Sequence, residues 1–137
     1  MKKTKSIIVS AMLVLLVSVS AMAQSDAKVI AVMHKADWCS TCENNGERAM
    51  KALMSENKDM AVQIIANDVT NDETKIKSAV ELEKFGLVKA VDEKCNATGV
   101  AYFFNSETKE LISQVSLAKT DQVLSAALTD AKKALKQ

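Results

Sequence analysis

The segment Trp38-Cys39-Ser40-Thr41-Cys42 lies between a short apolar run, Lys28 to Met33, and a one-sided apolar stripe of Ala49, Met50, Leu53 and Met54 within Glu47 to Asn57. No other feature restricts the chain as strongly. A nearly continuous apolar run predicts a strand buried on both faces of a sheet. The 3.6-residue stripe that follows predicts a helix packed on that sheet. Two thiols with two residues between them, at the turn from strand to helix, can close a small disulfide ring, and a helix N-terminus favours negative charge on the first sulfur. Exchange proceeds by thiolate attack and then needs a second thiol close by. Cys39 is therefore the candidate nucleophile and Cys42 the candidate resolving thiol.

The remaining chain supplies a sheet for this turn to sit on. Met60 to Ala66 reads as a second strand. Asn67 to Asp72 carries turn and N-cap chemistry for a helix running to about Lys84, with Gly86 as its stop. Val88, Val91 and Cys95 share one face of a further short helix, and Val100 to Phe104 forms a third strand. Asn105 to Glu110 is turn-like and too short for a parallel crossover, so Leu111 to Val115 returns as an antiparallel hairpin partner. Thr120 or Asp121 caps a closing helix with Leu124, Ala127, Leu128, Ala131 and Leu135 on one stripe. This order predicts an α/β domain with helices on both faces of a mixed sheet.

Composition narrows the reading further. A chain of 137 residues has room for one ordinary domain. It contains no proline, which removes cis-proline turns and proline kinks. With 18 basic against 17 acidic side chains it lacks the basic footprint of a nucleic-acid binder. Lys2, Lys3 and Lys5 precede an uncharged stretch from Ser6 to Ala23 that ends Ala21-Met22-Ala23, the pattern of a secretory signal cut after Ala23. Retention as an anchor is disfavoured, because the stretch is marginal for spanning ~30 Å and includes four serines. The expectation is a signal peptide over residues 1–23, a mature domain over 24–137, no lasting membrane insertion, and a periplasmic or extracellular location where disulfides persist.

Trp-Cys-x-x-Cys after the 28–33 strand, with the Gly99-Val100-Ala101-Tyr102 strand and the final helix, resembles the thioredoxin family over about the whole of residues 24–137. The resemblance implies a thioredoxin fold, a central mixed sheet of about four to five strands flanked by helices. It also implies thiol-disulfide oxidoreductase activity without a bound organic cofactor, with Cys39 and Cys42 as the reactive pair. Partners would be protein or small-molecule thiols and disulfides together with an electron donor or acceptor, and the chain would act as a monomer. By the register of the aromatic strand, the family's cis-proline falls on Ala101, so Trp38, Val100, Ala101 and Tyr102 become the expected substrate-binding residues. A cis bond before alanine costs about 2.5 to 4 kcal/mol, which predicts a trans peptide there and weakened activity. Ser40-Thr41 stands where thioredoxins proper have Gly-Pro. Met33 takes the place of their buried acid, and Glu43 stands where a lysine commonly follows.

Other residues admit blander readings. Cys95 is expected to be core packing, with regulatory oxidation or an intermolecular disulfide as the alternative. His34 is expected to be a solvated residue at a strand end, with metal ligation as the alternative. Trp38 is expected both to pack the loop and to meet substrate through its indole. Met50 and Met54 are expected in the core, and the charge-rich stretch Asp72 to Lys84 on a solvated face. The helix start should favour the Cys39 thiolate while Asp37 and Glu43 oppose it. Three functional classes follow: an exported oxidoreductase; a soft-metal carrier of copper or zinc using Cys39, Cys42 and His34 or a methionine; and a catalytically weak binding protein on the same fold. A Cys39/Cys42 bond that merely staples the domain is disfavoured, because so small a loop hardly constrains the unfolded chain.

Overall fold

The computed structural model describes residues 27–136; the expected signal peptide lies outside the described residues. Four strands form one mixed sheet: β1 (Val29–Lys35), β2 (Val62–Asp68), β3 (Val100–Asn105) and β4 (Leu111–Ser116). Their order across the sheet is β2-β1-β3-β4, with β1 parallel to β2 and antiparallel to β3, and β3 antiparallel to β4. The helices are α1 (Ser40–Glu56), α2 (Asp72–Glu83), α3 (Val88–Lys94) and α4 (Asp121–Ala134).

Alternation along the central strands divides the core in two. Val29, Ala31 and Met33 of β1, with Ala101 and Phe103 of β3, face Ala49 and Leu53 of α1 and Leu124, Leu128 and Ala131 of α4. Ile30 and Val32, with Tyr102 and Phe104, face Leu82 of α2 and Leu87, Val91 and Cys95 around α3. From Val29 to His34 each β1 residue is thus buried on whichever side it points, which is why Val29 to Met33 show no polar alternation.

The ends of the elements follow local chemistry. Asn71 and Thr74 form a reciprocal capping box at the start of α2. Gly86 follows that helix with φ +66°, where an L side chain would be strained, and Leu87 N–H reaches back to Leu82 O at 3.0 Å. Asn57 caps α1, and its side-chain amide clasps both polar groups of Val62, so the end of α1 fixes the start of β2. Thr120 is the cap of α4.

Three expectations need correction. The first helix begins at Ser40, not near Glu47, because its first two turns are polar and half-exposed to exposed; apolar periodicity cannot reveal them, whereas the Cys39 cap starts the helix regardless. Met54 is 60% exposed: the stripe toward the sheet is Ala49, Met50 and Leu53, and Met54 projects past its edge. His34 is 9% exposed rather than solvated, because β1 continues to Lys35 beneath the layer of α2 and α3.

Candidate active site

Cys39 closes the turn that leaves β1. Its amide donates to Ala36 O at 3.1 Å and its carbonyl accepts from Glu43 N–H at 3.0 Å. Its backbone is extended, with φ −89° and ψ 111°, the conformation of an N-cap. The cap acceptor is sulfur: Sγ receives the amide of Cys42 at 3.2 Å. The Cys39 sulfur therefore sits where the unpaired amides of a 17-residue helix converge, a natural place for negative charge.

The two thiols are driven apart in acidity. Burial opposes ionisation of Cys39, but hydrogen bonds from the Cys42 thiol, the Thr98 hydroxyl and the amides of Cys42 and Thr41 outweigh it, and its pKa lies below that of an ordinary thiol. Cys42 moves upward, through burial, then the proton it shares with Cys39, and also the charge on Cys39. Burial and hydrogen bonding set the balance on Cys39; Asp37 and Glu43 are both exposed and do not enter it. Both cysteines are free thiols.

The segment facing the sulfur is Thr98–Gly99, two residues earlier than the sequence register placed it. A Cβ built on Gly99 would lie 3.4 Å from Cys39 Sγ and 2.8 Å from both Cβ and Cγ2 of Thr41, and Gly99 has φ +77°. Only glycine fits. Gly99 N–H donates to His34 O at 2.8 Å, and its carbonyl accepts Leu117 N–H at 2.8 Å. Arg48 Nη2 holds that second loop through the carbonyls of Leu117 and Lys119 at 2.8 and 2.9 Å. Tyr102 Oη accepts Ala97 N–H at 3.1 Å and donates to Ala97 O at 3.3 Å, so the loop is pinned on either side of Thr98. Under this cover Cys39 is 7% exposed, while Cys42 is half-buried.

The expected substrate-binding residues divide between two settings. Trp38 is 65% exposed beside the thiols, and its indole N–H donates to Thr70 O at 3.2 Å. Its ring body is not packed into the loop as expected. Val100 is half-buried in β3, opposite His34 and Ser116. Ala101 and Tyr102 are fully buried inside β3, with Ala101 paired to Met33 and Val115, so neither presents side-chain surface to a substrate. All described peptide bonds are trans, including the one before Ala101. The residues beside the Cys39 sulfur are Trp38, Thr98 and Gly99.

A further layer supports Trp38. Thr70 Oγ1 accepts Asp37 N–H at 2.9 Å and donates to Asp68 Oδ1 at 2.5 Å. Asp68 also receives Thr70 N–H at 2.9 Å and pairs with Lys35 at 3.1 Å. Burial opposes its ionisation, but these bonds hold its pKa at about 2. The β2–α2 turn thus fixes the height of the Trp38 loop.

His34 does not act on either thiol through its ring. The imidazole lies 2.9 Å from Asn67 Nδ2, meets Tyr102 edge-on with centroids 6.2 Å apart, and is kept below its usual pKa by burial. Cys95, at the C-cap of α3, packs in the second core cluster, and burial followed by the Asp92 charge pushes its thiol up to about 12. Among the described residues no three His, Cys, Asp or Glu side chains gather into a group that could hold a metal ion. Sequence reasoning missed Thr98, Thr70 and Arg48. Gly99 carried the one available signal, as one of three glycines in the chain, placed directly before the aromatic strand.

No protein-family model matches the chain, and no curated protein matches it. Among solved structures it is similar to Trxlp from Edwardsiella tarda EIB202, at 16% identity over 80% of this chain and 89% of that one, with a TM-score of 0.47. It is similar to the Malassezia sympodialis thioredoxin Mala s 13, at 19% identity over 78% and 80%, with a TM-score of 0.46. It is also similar to the oxidised thioredoxin of Plasmodium falciparum, at 13% identity over 77% and 83%, with a TM-score of 0.47. The chain's own β2-β1-β3-β4 sheet, its two helices on each face and the Cys39/Cys42 pair at the head of α1 make it a thioredoxin-like α/β fold.

Proposed function

We propose that the protein is an exported thiol-disulfide oxidoreductase that exchanges disulfides with protein or small-molecule thiols through Cys39 and Cys42. The observation that carries this reading is a pair of cysteines at the head of α1, the first capping the helix through its sulfur and the second giving its amide to that sulfur at 3.2 Å, with their acidities driven in opposite directions. The Cys39 thiolate attacks one sulfur of a substrate disulfide; a mixed disulfide forms and the other substrate sulfur leaves as a thiolate that takes up a proton. Cys42 then loses its proton and attacks Cys39 Sγ, releasing the second substrate sulfur. Two electrons pass to the substrate and the protein holds a Cys39–Cys42 disulfide, which an external dithiol reverses. Oxidation of substrate dithiols is the same path run backwards.

Thr98 supports the reading in a second way. Among the described residues no hydrogen bond engages its backbone N–H or C=O, and it lies against the attacked sulfur, so an extended substrate segment has a polar edge to pair with. Exposed Trp38 supplies an apolar surface alongside. The test is turnover of a disulfide substrate coupled to a reductant, with Cys39→Ser and Cys42→Ser as partners. Cys39→Ser should abolish turnover, and Cys42→Ser should accumulate the mixed disulfide, detectable by mass. Turnover that survives Cys39→Ser overturns the proposal.

A further inference from the structure

A cavity of about 450 Å³ opens at the carboxyl ends of β1 and β2, beneath α2 and α3. After β1 the chain turns to α1 on one face of the sheet; after the adjacent parallel strand β2 it turns to α2 on the other. Exits that diverge from neighbouring parallel strands leave a crevice between the strand ends, the usual place for ligands in open α/β sheets. His34 and Asn67 are register partners at those ends. They are 9% and 6% exposed and both line the cavity.

This buried pair is only half satisfied by the protein. With the Asn67 amide donating to His34 Nδ1 at 2.9 Å, the ring proton sits on Nε2. Among the described residues no hydrogen bond engages His34 Nε2 or Asn67 Oδ1, and neither atom is sealed from solvent. His34 Nε2–H and the second amide hydrogen of Asn67 are left over as donors, and Asn67 Oδ1 as an acceptor. Turning the amide over makes Nε2 the acceptor and still leaves donors and an acceptor unpaired. Val69, Ile76, Ala79, Leu82, Val88 and Val91 supply apolar walls. The exposed rim residues Lys75 and Asp92 oppose each other in sign, and the imidazole is held neutral by burial, so the site carries no net attraction for an ion.

We propose that this cavity binds a small uncharged molecule with a carboxamide or lactam edge on an apolar body, its carbonyl accepting from His34 Nε2 and its N–H donating to Asn67 Oδ1. A ketone of the same shape would leave the Asn67 acceptor unpaired, and a carboxylate would bring a charge with no compensating partner. The site is separate from the Cys39/Cys42 chemistry and stands whether or not that reading does.

The test is nuclear magnetic resonance of the ¹⁵N-labelled chain titrated with ε-caprolactam, with cycloheptanone and hexanoate as matched probes. Caprolactam should shift the His34 ring nitrogens and the α2 and α3 amides saturably, and each control should bind at least tenfold more weakly. Ala79→Phe fills the cavity and leaves the polar pair in place; it should abolish the caprolactam response while Cys39 alkylates at its original rate, which shows that the fold is kept. Equal binding of caprolactam and cycloheptanone, no saturable shift at His34, or an unchanged response in Ala79→Phe overturns the proposal.

Discussion

The acidity of one sulfur depends on a hydroxyl that no sequence motif announces. Thr98→Val keeps the shape of the side chain and removes the hydrogen bond to Cys39. The Cys39 pKa should then rise toward the ordinary ~8.5, as followed by ultraviolet thiolate absorbance against pH; an unmoved titration would show that the hydroxyl does not matter. Gly99 is constrained by space and by backbone at once. Gly99→Ala should cost about 1 to 3 kcal/mol in urea unfolding, since the φ of +77° is strained for alanine and the new methyl collides with Thr41. A cost below about 0.5 kcal/mol would mean that the loop gives way freely. The sequence revealed Cys39 and Cys42 because their chemistry lies in residue type and spacing. Thr98 acts only through a contact across 59 positions, which nothing local records.

At the scale of elements, the site is a junction between one helix start and two loops. The α1 cap supplies amides, the β1–α1 turn presents Trp38, and the loop between α3 and β3 covers the sulfur. Tyr102 reaches from within β3 to grip that loop at Ala97. Tyr102→Phe preserves the buried ring and frees both polar groups of Ala97, at a cost of about 1 to 2 kcal/mol. Cys39 should alkylate faster with iodoacetamide in this variant, because its cover is released. A variant with wild-type stability and wild-type alkylation rate would rule out the clamp. Tyr102 was expected at the substrate face; its ring is buried in the sheet, and its contribution to the site is to hold the loop that contains Thr98.

For the whole molecule, two groups withdrawn from solvent couple stability to acid in the same direction. Asp68 is held at about 2, below its unfolded value, so its contribution is complete above pH ~4 and is lost as the pH falls through about 2. His34 is also held below its unfolded value of 6.5; its contribution is complete above that pH and is lost as the pH falls further. The urea midpoint should therefore decline in two stages on acidification, the first starting near pH 6.5. Asp68→Asn should lower stability at pH 7 by about 1 kcal/mol, after allowance for solvent screening of a partly exposed group. It should also flatten the decline below pH 4, as measured by urea unfolding at pH 7 and pH 3. A decline of wild-type steepness below pH 4 in that variant would remove Asp68 as the cause.

The chain's sequence by itself determined the element order, the β3–β4 hairpin, the α2 and α4 caps and the placing of the Cys39/Cys42 pair at a helix start. Each of these rests on periodicity, turn chemistry or spacing within a few residues. Tertiary structure alone decided that helix layers close over His34, that Met54 is left outside the core, and that Thr98–Gly99 rather than Ala101 meets Cys39. Register across β1 and β3 places that loop, and a shift of two residues keeps every side chain on its original face, so the hydrophobic pattern of β3 reads the same in either position. Only the packed sheet, with Gly99 bonded to His34 on one side and Leu117 on the other, distinguishes the two.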